Sequence, residues 1–194
     1  RSYVVNLFVM PDAEAQALVV EAKRRGYRKI AEVTTVQDGT LELKAAFNKV
    51  AHDSIQVVIE DDFIPDDKDF RSFITKLRAK KDIDAVLVST IPGHTDNFAR
   101  QMREMGAKVP LFGFHNFELI NEVKASNGAL VGQWYVNASL PEDSFIQIYQ
   151  KRFPGADMFC AANGHDAVLL ISAAIQNMPT REGINSFLHS VRNF

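Results

Sequence analysis

The sequence predicts an α/β fold in which helices cover both faces of a parallel sheet. Two observations predict it. Short continuous apolar runs favour buried strands, and the stretches between them carry apolar residues at helical spacing. Strands of parallel sheets are buried on both faces, so they show continuous rather than alternating apolar runs. We therefore expect a three-layer, Rossmann-like unit of helix, sheet and helix, with right-handed crossovers between the strands.

About five strands are expected between Pro11 and Pro141, and an opening strand before them. The clearest is Lys29–Thr35, which ends shortly before Asp38-Gly39, a dipeptide typical of turns. The expected strands cover residues 3–9, 29–35, 55–60, 85–88, 109–113 and 129–134.

Amphipathic helices are expected between these strands. Asp12 and Thr40 are suited to cap the first two, and Gly26 and Gly106 to end the first and the fourth. The apolar residues that define the helix faces are Leu18, Val19, Leu43, Phe47, Phe73, Leu77, Phe98, Met102, Ile120 and Val123.

Composition excludes several classes of protein. The chain has 194 residues, of which 46% are hydrophobic, and its 22 basic and 24 acidic residues give a net charge of -2. This balance is unlike that of a nucleic-acid-binding protein, so no nucleic-acid partner is expected. No apolar run approaches the roughly 18 residues of a membrane span. The single cysteine, Cys160, cannot form an internal disulfide and is expected to be a buried thiol beside a helix.

The pattern changes after Pro141, where helices follow one another without strands between them. Pro141 suits the first turn of one helix, residues 161–176 form a longer one, and Thr180 is suited to cap the last. These helices are expected either to cover the faces of the same sheet or to belong to a second unit.

Several local motifs, in their order and spacing, resemble the type I periplasmic binding proteins, a family that includes the Leu/Ile/Val-binding proteins. The resemblance extends over nearly the whole chain. It rests on Gly26-Tyr27-Arg28-Lys29-Ile30-Ala31, Asp38-Gly39, Asp69-Phe70, Asp84-Ala85-Val86, residues 98–106 (FARQMREMG), Pro110-Leu111-Phe112-Gly113 and His165-Asp166-Ala167-Val168-Leu169-Leu170.

The resemblance implies that residues 1–140 are the second of two lobes and that residues 141–194 return toward an incomplete first lobe. It implies a small polar or amino-acid-like solute in a cleft between lobes, an ABC permease as partner, and a periplasmic or extracellular location. An alternative is the ligand-binding domain of a receptor or sensor. A further one is an enzyme on a doubly wound sheet, with Asp38 and His115 as an acid/base pair.

A parallel sheet places its ligands beyond the carboxyl ends of its strands. The positions through which the family holds ligand there fall near Asp38, Ile91 and His115, and none of them has the residue typical of the branched-chain amino-acid binders. The candidate ligand-binding residues are Gln37, Asp38, Thr90, Ile91, Pro92, Phe114, His115 and Asn116. They combine a few polar groups with apolar walls, as small-molecule sites do.

Each polar candidate also has a structural interpretation. Asp38 could form the Asp-Gly turn, Asn116 could cap a helix, and His115 could be a histidine at the sheet edge. The acidic residues from Glu60 to Asp69 are expected to form a solvated loop. The histidines have no metal-ligand spacing, and neither a phosphate loop nor a nucleophile motif is present. We therefore expect no cofactor, no metal and no catalytic residue.

Overall fold

The computed structural model describes residues 3–191. These residues form five strands, eight α-helices and one short 3-10 helix. In chain order the elements are α1 (Pro11–Arg24), β1 (Lys29–Thr35), α2 (Asp38–Ala51), β2 (Gln56–Phe63), α3 (Arg71–Ala79), β3 (Ala85–Ser89), α4 (Thr95–Glu104), β4 (Leu111–Gly113), the 3-10 helix (His115–Glu118), α5 (Ile120–Ala125), β5 (Trp134–Tyr135), α6 (Asp143–Arg152), α7 (Ala161–Asn177) and α8 (Arg181–Ser190).

The five strands form one sheet in the order β2-β1-β3-β4-β5, and every neighbouring pair is parallel. The predicted α/β fold with a parallel sheet is therefore confirmed. The chain moves outward from β1 to β2 and then crosses to β3 on the other side of β1. This reversal makes the gap between β1 and β3 the topological switch point, where open α/β sheets bind ligands.

Helices pack on both faces of the sheet, which explains the continuous apolar strands. The face covered by α3 and α4 buries Phe70, Phe73 and Phe98 against alternate residues of β1 and β3. The face covered by α1 and α2 buries Leu18, Phe47 and Phe112 against the other set. Strand β3 is buried at all five positions because both of its faces are covered.

Strand β2 lies at one edge of the sheet and carries part of the acidic stretch. The prediction that these acidic residues form a loop is wrong for Glu60, Asp61 and Asp62, which lie within β2. Lys44 of α2 pairs with Glu60 at 2.5 Å and Asp62 at 2.6 Å, and Lys76 of α3 pairs with Asp61 at 2.7 Å. Charges along an exposed edge discourage pairing with other strands, so this acidic sequence is compatible with an edge strand.

Two strand predictions differ from the structure. Residues 3–9, all of them described, form no strand. Residues 129–132 form turns, and only Trp134 and Tyr135 pair with β4. In both segments an apolar or β-branched composition favours a strand, but composition alone does not supply a neighbouring strand for pairing.

The chain divides into two compact units, one of residues 9–138 and one formed by the described residues 3–8 and 139–191. In the second unit Thr180 caps α8, as predicted, by accepting a hydrogen bond from the Gly183 amide at 3.1 Å. The amide of Asn163 donates to the Leu7 carbonyl at 2.6 Å, which ties α7 to the first residues of the chain.

Helix α7 buries only a narrow face. Leu170 and Ala174 are buried, whereas Val168, Ile171 and Ile175 are 64%, 48% and 50% exposed. Cys160 precedes α7 and is exposed, so the prediction of a buried thiol is wrong. None of the helices among the described residues is both long enough and apolar enough to span a membrane.

Candidate functional site

The carboxyl ends of all five strands lie along one edge of the sheet, because the strands are parallel. The segments that leave β1, β3 and β4 there are residues 36–37, 90–94 and 114–116, which we call the rim. They flank the switch point between β1 and β3. The eight residues predicted from the sequence therefore lie on the rim or in the first turn of the helix that follows it.

The predicted residues differ in how far they reach solvent. Gln37, Asp38 and Pro92 are exposed, and Ile91, His115 and Asn116 are partly exposed. Thr90 and Phe114 are 2% exposed. The Thr90 hydroxyl is hydrogen-bonded to that of Thr95 at 2.8 Å, and Phe114 packs in the core under α1 and α2. These two side chains support the rim from below, and the other six are at least partly exposed.

Asp38 begins a helix and does not form a turn. The prediction of an Asp-Gly turn is wrong, because Asp38 and Gly39 are the first two residues of α2 and Gln37 holds the N-cap position. A carboxylate in the first turn is favoured there by the helix dipole. Thr40 is not the cap either, since its hydroxyl donates to the carbonyls of Thr35 at 2.5 Å and Gln37 at 2.7 Å.

Asn116 connects two segments of the rim. Its side-chain amide donates to the Thr90 carbonyl at the end of β3. It lies inside the 3-10 helix rather than at its N-cap, so the N-cap interpretation is wrong. This hydrogen bond fixes the end of β4 to the end of β3.

His115 is paired with a carboxylate that the sequence analysis missed. Its Nδ1 lies 3.2 Å from Glu14 Oε1, and the two side chains are 16% and 3% exposed. In the tautomer protonated at Nδ1, the imidazole donates to the carboxylate. An acidic group supplied by α1 therefore lies next to position 115. The available signal was a glutamate on the apolar stripe of α1, four residues before Leu18.

A second histidine holds three rim segments together. His94 is completely buried, with Nδ1 2.9 Å from the Thr35 hydroxyl and Nε2 2.9 Å from the Pro65 carbonyl. Because a carbonyl can only accept, Nε2 donates to Pro65, and in the neutral imidazole Nδ1 then accepts from the Thr35 hydroxyl. The ring therefore joins the ends of β1, β2 and β3, and sequence spacing offered no signal for this role.

Glu122 of α5 occupies the N-terminus of α4. Its carboxylate accepts from the Gly93 amide at 2.6 Å and from the Asp96 amide at 3.0 Å, and it is 4% exposed. Burial raises the pKa of Glu122, and the nearby Asp96 carboxylate adds to this effect. Gly93 has φ of +84°, a conformation that glycine adopts freely. The protein itself thus supplies the hydrogen-bond acceptor at this helix end.

Together these hydrogen bonds make the 90–94 segment a fixed part of the rim. Ile91 and Pro92 form an apolar surface, with polar groups from Gln37, Asp38 and His115 on the neighbouring segments. Such a combination can bind a small molecule and orient it through a few hydrogen bonds. Among residues 3–191 there is no group of three or more His, Cys, Asp or Glu residues placed to hold a metal ion.

Comparison with known proteins gives one family. The sequence model of the family described as periplasmic binding protein matches residues 1–194. No curated protein matches the chain. Several solved structures are similar, and among them are solute- or amino-acid-binding proteins.

Three of these structures illustrate the similarity. A leucine-binding protein, LivK, of Thermotoga maritima has a TM-score of 0.86 at 22% identity, covering 97% of this chain and 57% of its own. The solute-binding protein of an ABC transporter from R. palustris, in complex with benzoate, has a TM-score of 0.81 at 19% identity, covering 95% of this chain and 54% of its own. The branched-chain amino acid transporter substrate-binding protein LivJ of Streptococcus pneumoniae, in complex with isoleucine, has a TM-score of 0.75 at 21% identity, covering 95% of this chain and 55% of its own.

The chain spans a little over half the length of each of these proteins. At identities of 19–22% the similarity establishes a shared fold.

Proposed function

Since this chain belongs to the periplasmic binding protein family, we propose that it is part of the solute-binding component of an ABC-type importer. In this proposal the rim is one wall of the solute site. The bound molecule is small and polar or amino-acid-like, and no bond is made or broken. The permease of the importer is the protein partner, and the location is periplasmic or extracellular.

The observation that carries the proposal is the position of the rim at the switch point. Exposed polar groups of Gln37 and Asp38 follow β1, and the apolar pair Ile91 and Pro92 follows β3, on the other side of the reversal. Ligands of open α/β sheets bind at this place for a topological reason, because adjacent loops there diverge to opposite faces of the sheet. The preformed rim lowers the entropy cost of binding.

We further propose that residues 1–140 are the second lobe of the family and that residues 141–194 belong with the first. The division between residues 138 and 139 supports the boundary near residue 140, whereas residues 3–8 fall in the same compact unit as residues 139–191. The exposed apolar side chains of α7, Val168, Ile171 and Ile175, support it as well, since a helix with such a face is normally covered by another layer.

The proposal is tested by NMR titration of the isotope-labelled chain, which detects weak as well as tight binding. The probes are L-leucine, L-isoleucine and benzoate. We expect at least one probe to shift backbone amides in a saturable way, with the largest shifts in residues 36–40, 90–93 and 114–117. Shifts confined to other residues, or no saturable shift with any of the three, would contradict the proposal for these solutes.

Two matched variants connect binding to the rim. Asp38 and Asp53 are both exposed aspartates. Asp38 begins α2, and Asp53 follows the C-terminus of the same helix, away from the rim. Asp38→Asn should change the affinity for the probe that binds, and Asp53→Asn should leave it unchanged. Equal affinities in both variants would remove Asp38 from the site.

A further inference from the structure

Three buried polar atoms without a hydrogen-bond partner lie on one face of the sheet. They are Glu32 Oε1, Thr34 Oγ1 and Ser89 Oγ. The three residues are 0%, 0% and 1% exposed. Within residues 3–191 only one other buried side-chain nitrogen or oxygen, Arg100 Nε, lacks a hydrogen-bond partner. Most buried polar groups in proteins are hydrogen-bonded, so three such atoms together call for an explanation.

The strand register places these atoms side by side. Thr34 and Ser89 are direct neighbours in the pairing of β1 with β3, and Glu32 lies two residues before Thr34. Side chains two residues apart point to the same face of a strand. Ile30 lies two residues before Glu32 on β1, and Leu87 lies two residues before Ser89 on β3. Both therefore point to the same face as the polar residues, and both pack in the core under α1 and α2. The three polar side chains therefore face this helical layer.

The polar groups of α2 above them have other partners. The Thr40 hydroxyl donates to the carbonyls that follow β1, and Lys44 pairs with Glu60 and Asp62 of β2. The Asn48 amide reaches Glu32, but at Oε2 and at 3.4 Å. Helix α2 therefore leaves Glu32 Oε1 and both hydroxyls to another donor or acceptor.

We propose that a buried water molecule binds among Glu32, Thr34 and Ser89. Neighbouring strands lie about 4.8 Å apart, and one water can bridge groups up to about 5.5 Å apart with two hydrogen bonds of ordinary length. The water donates to Glu32 Oε1, donates to one hydroxyl and accepts from the other. Three hydrogen bonds are typical of a buried water, and a bridging water satisfies all three atoms at once.

The site lies one residue below the rim. Thr34 precedes Thr35, whose hydroxyl donates to His94, and Ser89 precedes Thr90, whose carbonyl accepts from Asn116. The water therefore joins β1 and β3 under α2 at the switch point. This inference does not depend on solute binding, because it concerns the interior of the sheet unit alone.

Stability measurements on Thr34→Val, Ser89→Ala and the double variant distinguish a bridging water from a dry cluster. With a water in place, each single variant should raise the unfolding equilibrium constant, by up to about tenfold, because the remaining groups lose a partner. The double variant should cost less than the sum, because both hydroxyls share one water. As a control, Ser54→Ala lies at the far end of the sheet unit. Its effect on the free energy of unfolding should simply add to that of Thr34→Val.

A crystal structure of the unsubstituted chain tests the site directly and does not depend on the variants folding. We expect ordered solvent density within hydrogen-bonding distance of Thr34 Oγ1 and Ser89 Oγ. A dry site, or single variants more stable than the parent, would overturn the proposal, since removing unpartnered hydroxyls relieves a desolvation cost. Unfolding that depends on whether sodium or potassium is present would also overturn it, in favour of a bound cation.

Discussion

Replacing Glu32 with glutamine should stabilise the sheet unit above pH 7 and leave its stability nearly unchanged below pH 4.5. Glu32 is completely buried in the middle of β1. Burial raises its pKa from 4.5 to about 7, against the opposing attraction of Lys44 and a hydrogen bond from Asn48. The neighbouring carboxylates Glu60 and Asp62 raise the pKa further.

The direction of the effect follows from proton linkage. Between pH 4.5 and about pH 7 the folded Glu32 keeps its proton, whereas the unfolded chain has released it. Unfolding therefore releases a proton and becomes more favourable as the pH rises. The stability that the protonated carboxyl provides is complete below pH 4.5 and is lost as the pH rises through about 7.

The size of the effect is about 3 kcal/mol, since each pH unit between these two pKa values contributes about 1.4 kcal/mol to the free energy of unfolding. Glutamine has nearly the same shape and does not titrate, so Glu32→Gln avoids burying the charge. The gain in free energy of unfolding measured at pH 8 should approach this value. It will be smaller if the amide N–H groups of glutamine find no acceptor.

Urea denaturation at several pH values between 5 and 8 measures the effect. Trp134 is the only tryptophan and lies on β5 of the same unit, stacked on Phe112 with ring centroids 5.1 Å apart, so its fluorescence reports unfolding of this sheet. Glu42→Gln serves as the control, because Glu42 is exposed on α2, and its stability difference should be small at every pH. A Glu32→Gln variant that is less stable than the parent at pH 8, or a difference that does not grow with pH, would refute the reasoning.

Three further substitutions test other parts of the structure. Phe112→Leu should cost about 1–3 kcal/mol of stability through lost packing and shift the Trp134 emission to longer wavelength, and an unchanged spectrum would contradict the stacked arrangement. Asn116→Ala should cost about 1–2 kcal/mol in urea denaturation because the Thr90 carbonyl loses its donor; equal stability would show that the bond contributes nothing. Thr180→Ala should speed hydrogen exchange at the start of α8 and cost about 1 kcal/mol there, without altering exchange in the sheet unit.

The sequence predicted those features that depend on periodicity. Strand β1 was predicted at both ends and β3 nearly so, because a strand buried on both faces must be apolar throughout its length. The parallel arrangement follows from the helices between the strands, and with it the edge of the sheet that carries the candidate site. The eight candidate residues lie beside the carboxyl ends of β1, β3 and β4 for this reason.

Other features depend on partners that are distant in sequence. Asp38-Gly39 has the local preference of a turn, yet the continuation of α2 over the sheet makes it the start of a helix. Residues 129–132 have the composition of a strand, but the chain forms turns there and pairs only at Trp134 and Tyr135. Local preference is weak compared with tertiary packing, so these predictions failed.

The fold class, the order of most elements and the edge of the sheet that carries the candidate site can be predicted from the chain alone, because apolar periodicity and the parallel-sheet connection are encoded along it. How that edge is built depends on contacts between residues far apart in the chain. His94 meets Thr35 and Pro65, Glu122 meets Gly93, and Glu14 meets His115 across separations of 29 to 101 residues. Single hydrogen bonds over such separations leave no periodic signal in the sequence, since they require one residue at one position.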